Sequence, residues 1–179
     1  MLDAAARLFG SQLYHEVRMD DIAAEASVGK GTLYRYFTDK EDLFEALLLK
    51  AAEQLQKRIR HAIDSTEGYR NKLIAVVDAG IAFYDERPHL GPLVQRAEVI
   101  RGKDSPWQST RHQFSQWIKE VLIDAERAGE FRVRQPDIDV YFLVGGVRHI
   151  VLFTPKPRPA GLAEHIVDTF LRGAAIPLD

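Results

Sequence analysis

Gly29-Lys30-Gly31-Thr32 sets a lysine between two glycines ahead of a threonine, residue types that together grip phosphate oxygens. Glycine exposes backbone N–H groups that cradle an anion, while the ammonium and hydroxyl add charge and further donors. A nucleotide-binding loop of this kind needs G-x-x-x-x-G-K-[ST] between a strand and a helix. With Gly29-Lys30 as the GK pair, the next residue is Gly31 instead of Ser or Thr. The upstream glycine position holds Ala24, and the preceding DDIAAEA reads as helix. Nucleotide hydrolysis is therefore a poor reading, and the backbone of a duplex is the other source of phosphates.

The elements around this stretch favour the duplex. Leu2, Ala5, Ala6, Phe9 and Leu13 recur at helical spacing, as do Met19, Ile22, Ala23 and Ala26. Ser27-Val28-Gly29 then forms a tight turn into a third short helix with Leu33 and Phe37 on its inner face. Two short helices joined by such a turn form a helix-turn-helix, whose second helix enters the major groove with its N-terminal residues leading. At about 100° per residue, Gly31, Thr32 and Arg35 fall opposite Leu33, with Tyr34 and Tyr36 on the flanks and Lys30 in front. Gly31 permits close approach of the backbone, Arg35 can fork to a guanine edge, and Thr32 can touch a thymine methyl or a phosphate. The tyrosine hydroxyls can reach phosphates, although Tyr34 reads equally as half-buried packing. Thr38 and Glu41 have capping-box spacing and open a long fourth helix through Leu43, Leu47, Ala51, Leu55, Ile59 and Ile63. Lys40 lies in its first turn, where free N–H groups favour a phosphate.

Beyond a polar break at Asp64–Gly68, Leu73, Val76, Val77, Gly80, Ile81 and Tyr84 mark a fifth helix, stopped by Pro88. A helical piece spans about 89–100, and Arg101-Gly102-Lys103-Asp104 reads as a loop. Ser105 is the N-cap and Pro106 the first residue of a helix that ends at Gly129. Gln135-Pro136-Asp137 opens the apolar DVYFLVGGVRHIVLF, ended by PKPRP, and a last helix carries Leu162, Ile166, Val167, Phe170 and Leu171. No alternation supports a sheet, so the fold is all-α.

Residues 1–48 resemble the DNA-binding domain of TetR-family transcriptional regulators, on LDAAARLF followed by DIAAEASVGKGTLYRYFTDKEDLFEAL. The resemblance implies that Lys30, Gly31, Thr32 and Tyr34 face bases or the adjacent backbone. It implies that Tyr36 and Lys40 anchor phosphates and that Leu33 and Phe37 hold the recognition helix in place. Ser27 stands where a turn glycine is common, and Gly29 where Ser or Thr usually leads the helix. Arg18 replaces a Thr, offering a charged phosphate contact. The chain also begins where the family usually has several further, often basic, residues.

The implied architecture is an N-terminal three-helix helix-turn-helix DNA-binding domain, residues 1–46, followed by a larger helical ligand-binding and dimerisation domain, residues 47–179. The helices at about 137–153 and 162–172 are the expected homodimer surface, a four-helix bundle. Gly145-Gly146 suits close helix approach, across the dimer or against the fourth helix, or a local kink. A small-molecule pocket would lie among the helices of 69–128. Its candidate aromatic lining is Phe83, Tyr84, Phe114 and Trp117, and Arg96, His112 and His149 could orient a polar group. Each also fits ordinary packing or surface exposure, and the effector is not legible.

Charge and composition bound these readings. Hydrophobic residues at 46% and charged residues at 28% are ordinary for a soluble globular chain. Over residues 1–46 five basic side chains face nine acidic ones, a formal balance of −4, yet residues 30–40 hold three of the bases and only Asp39. The positive charge is local, so few phosphate contacts and a shallow salt dependence are expected. The absence of cysteine rules out disulfides and thiolate metal sites. No stretch approaches the roughly 20 apolar residues of a membrane span, and no basic-then-apolar leader is visible, so a cytoplasmic protein is expected. Neither H-E-x-x-H nor G-x-S-x-G occurs, and Glu164-His165 with Asp168 reads as a solvated helix surface. No enzyme activity, cofactor or metal site is expected. The functional expectation is a homodimeric repressor on an inverted-repeat DNA operator, released by a small-molecule effector. The alternative is a binding or interaction protein of the same fold with weak or lost operator binding.

Overall fold

The computed structural model describes residues 1–100 and 106–174, apart from the side chains of 96–100, 106–111 and 174. The described residues fold as helices, with no strand among them: α1 (Leu2–Ser11), α2 (Met19–Glu25), α3 (Lys30–Tyr36), α4 (Lys40–Asp64), α5 (Tyr69–Asp85), α6 (Leu90–Ile100), α7 (Pro106–Arg127), α8 (Pro136–Phe153) and α9 (Leu162–Ala174). The all-α reading holds. The expected 101–104 loop and the Ser105 cap lie outside the described residues. No described helix is long and apolar enough to cross a membrane.

The chain divides into two compact units. The first comprises Met1–Gln54 with Arg87–Thr110, and the second Leu55–Glu86 with Arg111–Asp179. In the first unit α1 packs on α2 and α6, and α2 packs on α3. Its centre holds Phe9, Ile22, Leu33, Leu43, Phe44 and Leu48, all 2% exposed or less. The Phe9 ring stacks on Tyr14 and meets Phe44 edge-on, each at 5.3 Å between centroids. Such pairs add modestly to the burial of the rings themselves. Gly10 lets α1 pass the start of α6 closely, since a Cβ there would lie 2.7 Å from the His89 Cβ.

Two expectations from spacing shift by a residue or more. Leu13, read on the face of α1, lies beyond the end of that helix and is 51% exposed. The cap of α4 is Asp39, one residue after the expected Thr38. The Asp42 N–H donates to Asp39 Oδ1 at 2.8 Å, and the Thr38 N–H donates to Asp42 Oδ2 at 2.9 Å. A carboxylate is the stronger acceptor at this end of a helix, which moves the start to Lys40.

The second unit packs α5 against α9 and α8, with Leu73, Val76, Val77, Val140, Leu143, Val167 and Phe170 buried. Pro136 sits in the first turn of α8 as the sequence predicts. The segment after α8 is held by Arg158, whose side chain is only 7% exposed. Its Nε and one Nη donate to the two Asp85 carboxylate oxygens at 2.7 and 2.9 Å. Its remaining N–H groups reach the carbonyls of Ile150 and Val151 at 3.1 and 3.0 Å and the Thr154 hydroxyl. All five guanidinium donors are used, and the one on Val151 serves a carbonyl near the C-terminal end of α8 whose i+4 residue, Pro155, has no N–H to offer. Lys156 adds a hydrogen bond to the Asp85 carbonyl at 2.9 Å.

Arg158, helped by Lys156, holds the Asp85 carboxyl below its ordinary range despite partial burial. A lowered folded-state value means that this stabilisation is present above the unfolded value and is lost as pH falls through the folded one, below about pH 4. Arg158→Ala is expected to cost about 3 kcal/mol, because it removes both charge-assisted hydrogen bonds to a partly buried carboxylate and the donor on the Val151 carbonyl. Urea titration at neutral pH measures it, and the deficit relative to wild type should shrink in acid. A loss below about 0.5 kcal/mol would contradict the account.

Candidate nucleic-acid interface

The turn between α2 and α3 closes by two backbone hydrogen bonds. The Val28 N–H donates to the Ala23 carbonyl and the Ser27 N–H to the Ala24 carbonyl, both at 3.0 Å. This is the Schellman arrangement, which places its turning residue in the left-handed region. Ser27 takes that place with φ 54°. At the end of α7 the same pattern turns on Gly129 at φ 75°, with Glu130 donating to the Ala125 carbonyl. A side chain in this conformation costs roughly 1–2 kcal/mol relative to glycine. The turn is nevertheless formed, and Gly29 follows as the N-cap of α3.

A helix of seven residues has little stability of its own. α3 is held by Leu33, fully buried, and by the half-buried Phe37 just past its end. Everything opposite Leu33 is open: Lys30, Gly31, Arg35, Tyr34 at 51% and Tyr36 at 58% are exposed, and Thr32 is half-buried. The packing alternative for Tyr34 is not realised. Gly31 has no neighbour among the described residues within 4 Å of where a Cβ would stand. Its conformation and packing within the described residues make no demand for glycine. The Arg35 guanidinium lies over the Tyr36 ring at 5.2 Å, a cation–π contact that leaves its outer edge available.

The cations of this unit are more occupied than their spacing suggests. Lys30 Nζ pairs with Asp20 Oδ2 from the first turn of α2, and that carboxylate raises the ammonium above its ordinary value by hydrogen bond and by charge. Arg7 donates from Nε to Glu25 at 2.9 Å. Lys40, expected at a phosphate, is turned inward. Its ammonium donates to the carbonyls of Tyr14 at 2.7 Å and Val17 at 3.1 Å and lies 4.4 Å from the centre of the Tyr14 ring. It fastens the connection between α1 and α2 to the first turn of α4. Arg18 is exposed at the N-cap of α2. Its side chain has no acceptor with which to cap, and its backbone N–H donates to Asp21 Oδ2 at 3.1 Å. Asp20 and Tyr14 escaped sequence reasoning because they meet their partners through tertiary packing, outside any helical period.

The aromatic residues proposed for a ligand pocket lie on α5 and α7. Phe83 is 1% exposed, with Tyr84 edge-on at 5.5 Å and Arg58 5.4 Å from its ring centre. Phe114 and Trp117 are half-buried, and Arg60 lies over the Trp117 ring at 5.6 Å. His112 is exposed and hydrogen-bonds Gln116 at 3.1 Å, one turn along α7. His149 is also exposed, its ring 4.6 Å from that of Phe153. The Arg96 side chain lies outside the described residues.

Residues 1–47 fit the family model described as bacterial regulatory proteins, tetR family. The chain is 35% identical over 85 residues to the HTH-type transcriptional activator FasR of Mycolicibacterium smegmatis, a match spanning 48% of this chain but only 39% of FasR. It is 28% identical over 145 residues to the HTH-type transcriptional repressor KstR2 of Mycobacterium tuberculosis, covering 78% of this chain and 70% of that protein. Its fold is similar to FadR from Bacillus subtilis, solved in complex with stearoyl-CoA. The TM-score is 0.81 at 19% identity, over 96% of each chain.

Replacing Gly31 separates internal from external demands. Gly31→Ala is expected to raise the stability of the free protein by about 0.5–1 kcal/mol. It should at the same time weaken binding to a duplex the wild type selects. Thermal melts and fluorescence anisotropy read the two effects, and unchanged DNA affinity would contradict an outward role for Gly31.

Proposed function

We propose, for a chain that belongs to the TetR family of bacterial regulatory proteins, that it acts as a homodimeric, sequence-specific repressor on an inverted-repeat operator. The observation that carries this reading is the exposed face of α3 standing over a fully buried Leu33. It presents Lys30, Gly31, Thr32, Tyr34, Arg35 and Tyr36 as groove-facing chemistry, with Arg18 at the start of α2 as a backbone contact. Lys40 contributes from behind, by fixing the position of α2.

Dimerisation is supported by α8. Ile138, Phe142, Gly145, His149 and Phe153 recur at three- and four-residue steps, and all are exposed, Phe142 at 72%. An apolar stripe of this length on a helix end to end calls for a partner. Gly145 and Gly146 lie within or beside it, with no described neighbour within 4 Å of a would-be Cβ. No close approach against α4 is made among the described residues, so approach across the dimer or a local kink remains as their use. A two-fold dimer would set two recognition helices about 34–36 Å apart, one DNA turn. Phe142→Glu is expected to weaken the dimer about tenfold or more. Sedimentation velocity over a concentration series measures this, and an unchanged dimer would place the interface elsewhere.

Release of the operator by a small molecule completes the proposal. FadR was solved with stearoyl-CoA, and for this chain we carry over only the class, a small-molecule effector bound in the second unit. Such a ligand shifts occupancy only as far as it prefers the dimer spacing that does not fit DNA. Selection from randomised duplexes tests the operator claim and should enrich an inverted repeat. Arg35→Ala should then cost ~1–3 kcal/mol and relax one base position. Failure to enrich any repeat, with ligand binding intact, would favour the interaction protein that has lost its operator.

A further inference from the structure

Among the cations of the first unit, Lys30 is the one that leads α3 toward a groove, and like Arg7 it is paired with a carboxylate of α2. Asp20 and Lys30 are ten residues apart and are brought together only by the packing of α2 on α3. Both side chains remain well exposed, at 48% and 67%. The pair is thus open to exchange, and its strength is that of a surface ion pair.

A lysine adds to sequence-independent DNA affinity by replacing counterions on a phosphate. An ammonium already neutralised by a carboxylate gives less, because the phosphate must displace Asp20 and then sit beside its negative charge. A base edge makes no such demand. The ammonium has three N–H groups, so one can stay on Asp20 while others donate to an acceptor in the groove. The acidic surroundings point the same way: five bases face nine acids over residues 1–46, and Arg7 is likewise paired, with Glu25.

We infer that Asp20 is a specificity-determining residue, which withholds Lys30 from arbitrary phosphates while leaving it able to read a base. This rests on the DNA-binding reading of α3. The test uses the intact protein and a labelled duplex of random sequence, titrated with salt and read by fluorescence anisotropy. Asp20→Asn should bind that duplex more tightly at low salt, by up to about five-fold, the span of an exposed ion pair. Its log K against log salt line should steepen by about 0.9 for each head that gains a phosphate. Asp20→Glu, which keeps the charge, should retain the wild-type slope. In a Lys30→Met background Asp20→Asn should give no gain.

An equal gain with and without Lys30 would overturn the inference, since it would show only a general effect of net charge. So would an unchanged affinity and slope in an Asp20→Asn protein that melts like wild type. If Asp20→Asn melts early, Asp20→Ser replaces it in the same cycle under the same criteria. Failure of the wild-type protein to bind any duplex at low salt would instead sink the DNA-binding reading, and the role of Asp20 with it.

Discussion

Burial of one leucine side chain governs what α3 can do. A seven-residue helix is too short to persist alone, and Leu33 is its only fully buried residue. Its burial, with α3 packed on α2, leaves the other residues of α3 free to be chosen for what they present outward. The Schellman turn at Ser27 sets the direction in which α3 leaves α2, and the Lys40 ammonium sets where α2 begins relative to α4. Rigidity in the three helices thus comes from a leucine, a strained serine and an inward-facing lysine. None of these requires DNA.

The same economy shows in the charges. Lys30, Arg7 and Lys40 each have partners within the chain, and Arg35 lies over an aromatic ring. A head arranged in this way gains little from phosphates in general. On the proposed function it depends on the fit of α3 to a particular groove, where short contacts from Gly31, Thr32 and Arg35 would discriminate among base edges. The negative formal balance of residues 1–46 is consistent with that division of labour and does not oppose DNA binding.

Features set by local chemistry were legible in the sequence. Pro136 opening α8, Gly129 closing α7 and the outward face of α3 follow from φ preferences and helical period, which need no knowledge of neighbours. Features set by tertiary packing were not. Asp39 displaced Thr38 as the cap of α4 because a nearby carboxylate competed for the same N–H groups. Lys40 has the residue type and position of a phosphate anchor, and only the fold shows two carbonyls and an aromatic ring beneath it. Leu13 fits the period of α1 yet lies past its end. In the second unit the aromatic residues were legible as helix faces but not as a site, and His112 and His149 are both exposed.

On the proposed function, two copies of α3 in a homodimer read successive major grooves. Methylation protection of guanine N7 on a duplex the protein selects reports major-groove occupancy directly. The account predicts two protected windows centred about 10–10.5 base pairs apart, or a multiple of that spacing, related by a two-fold axis. A single window, or protection confined to minor-groove adenines, would contradict it.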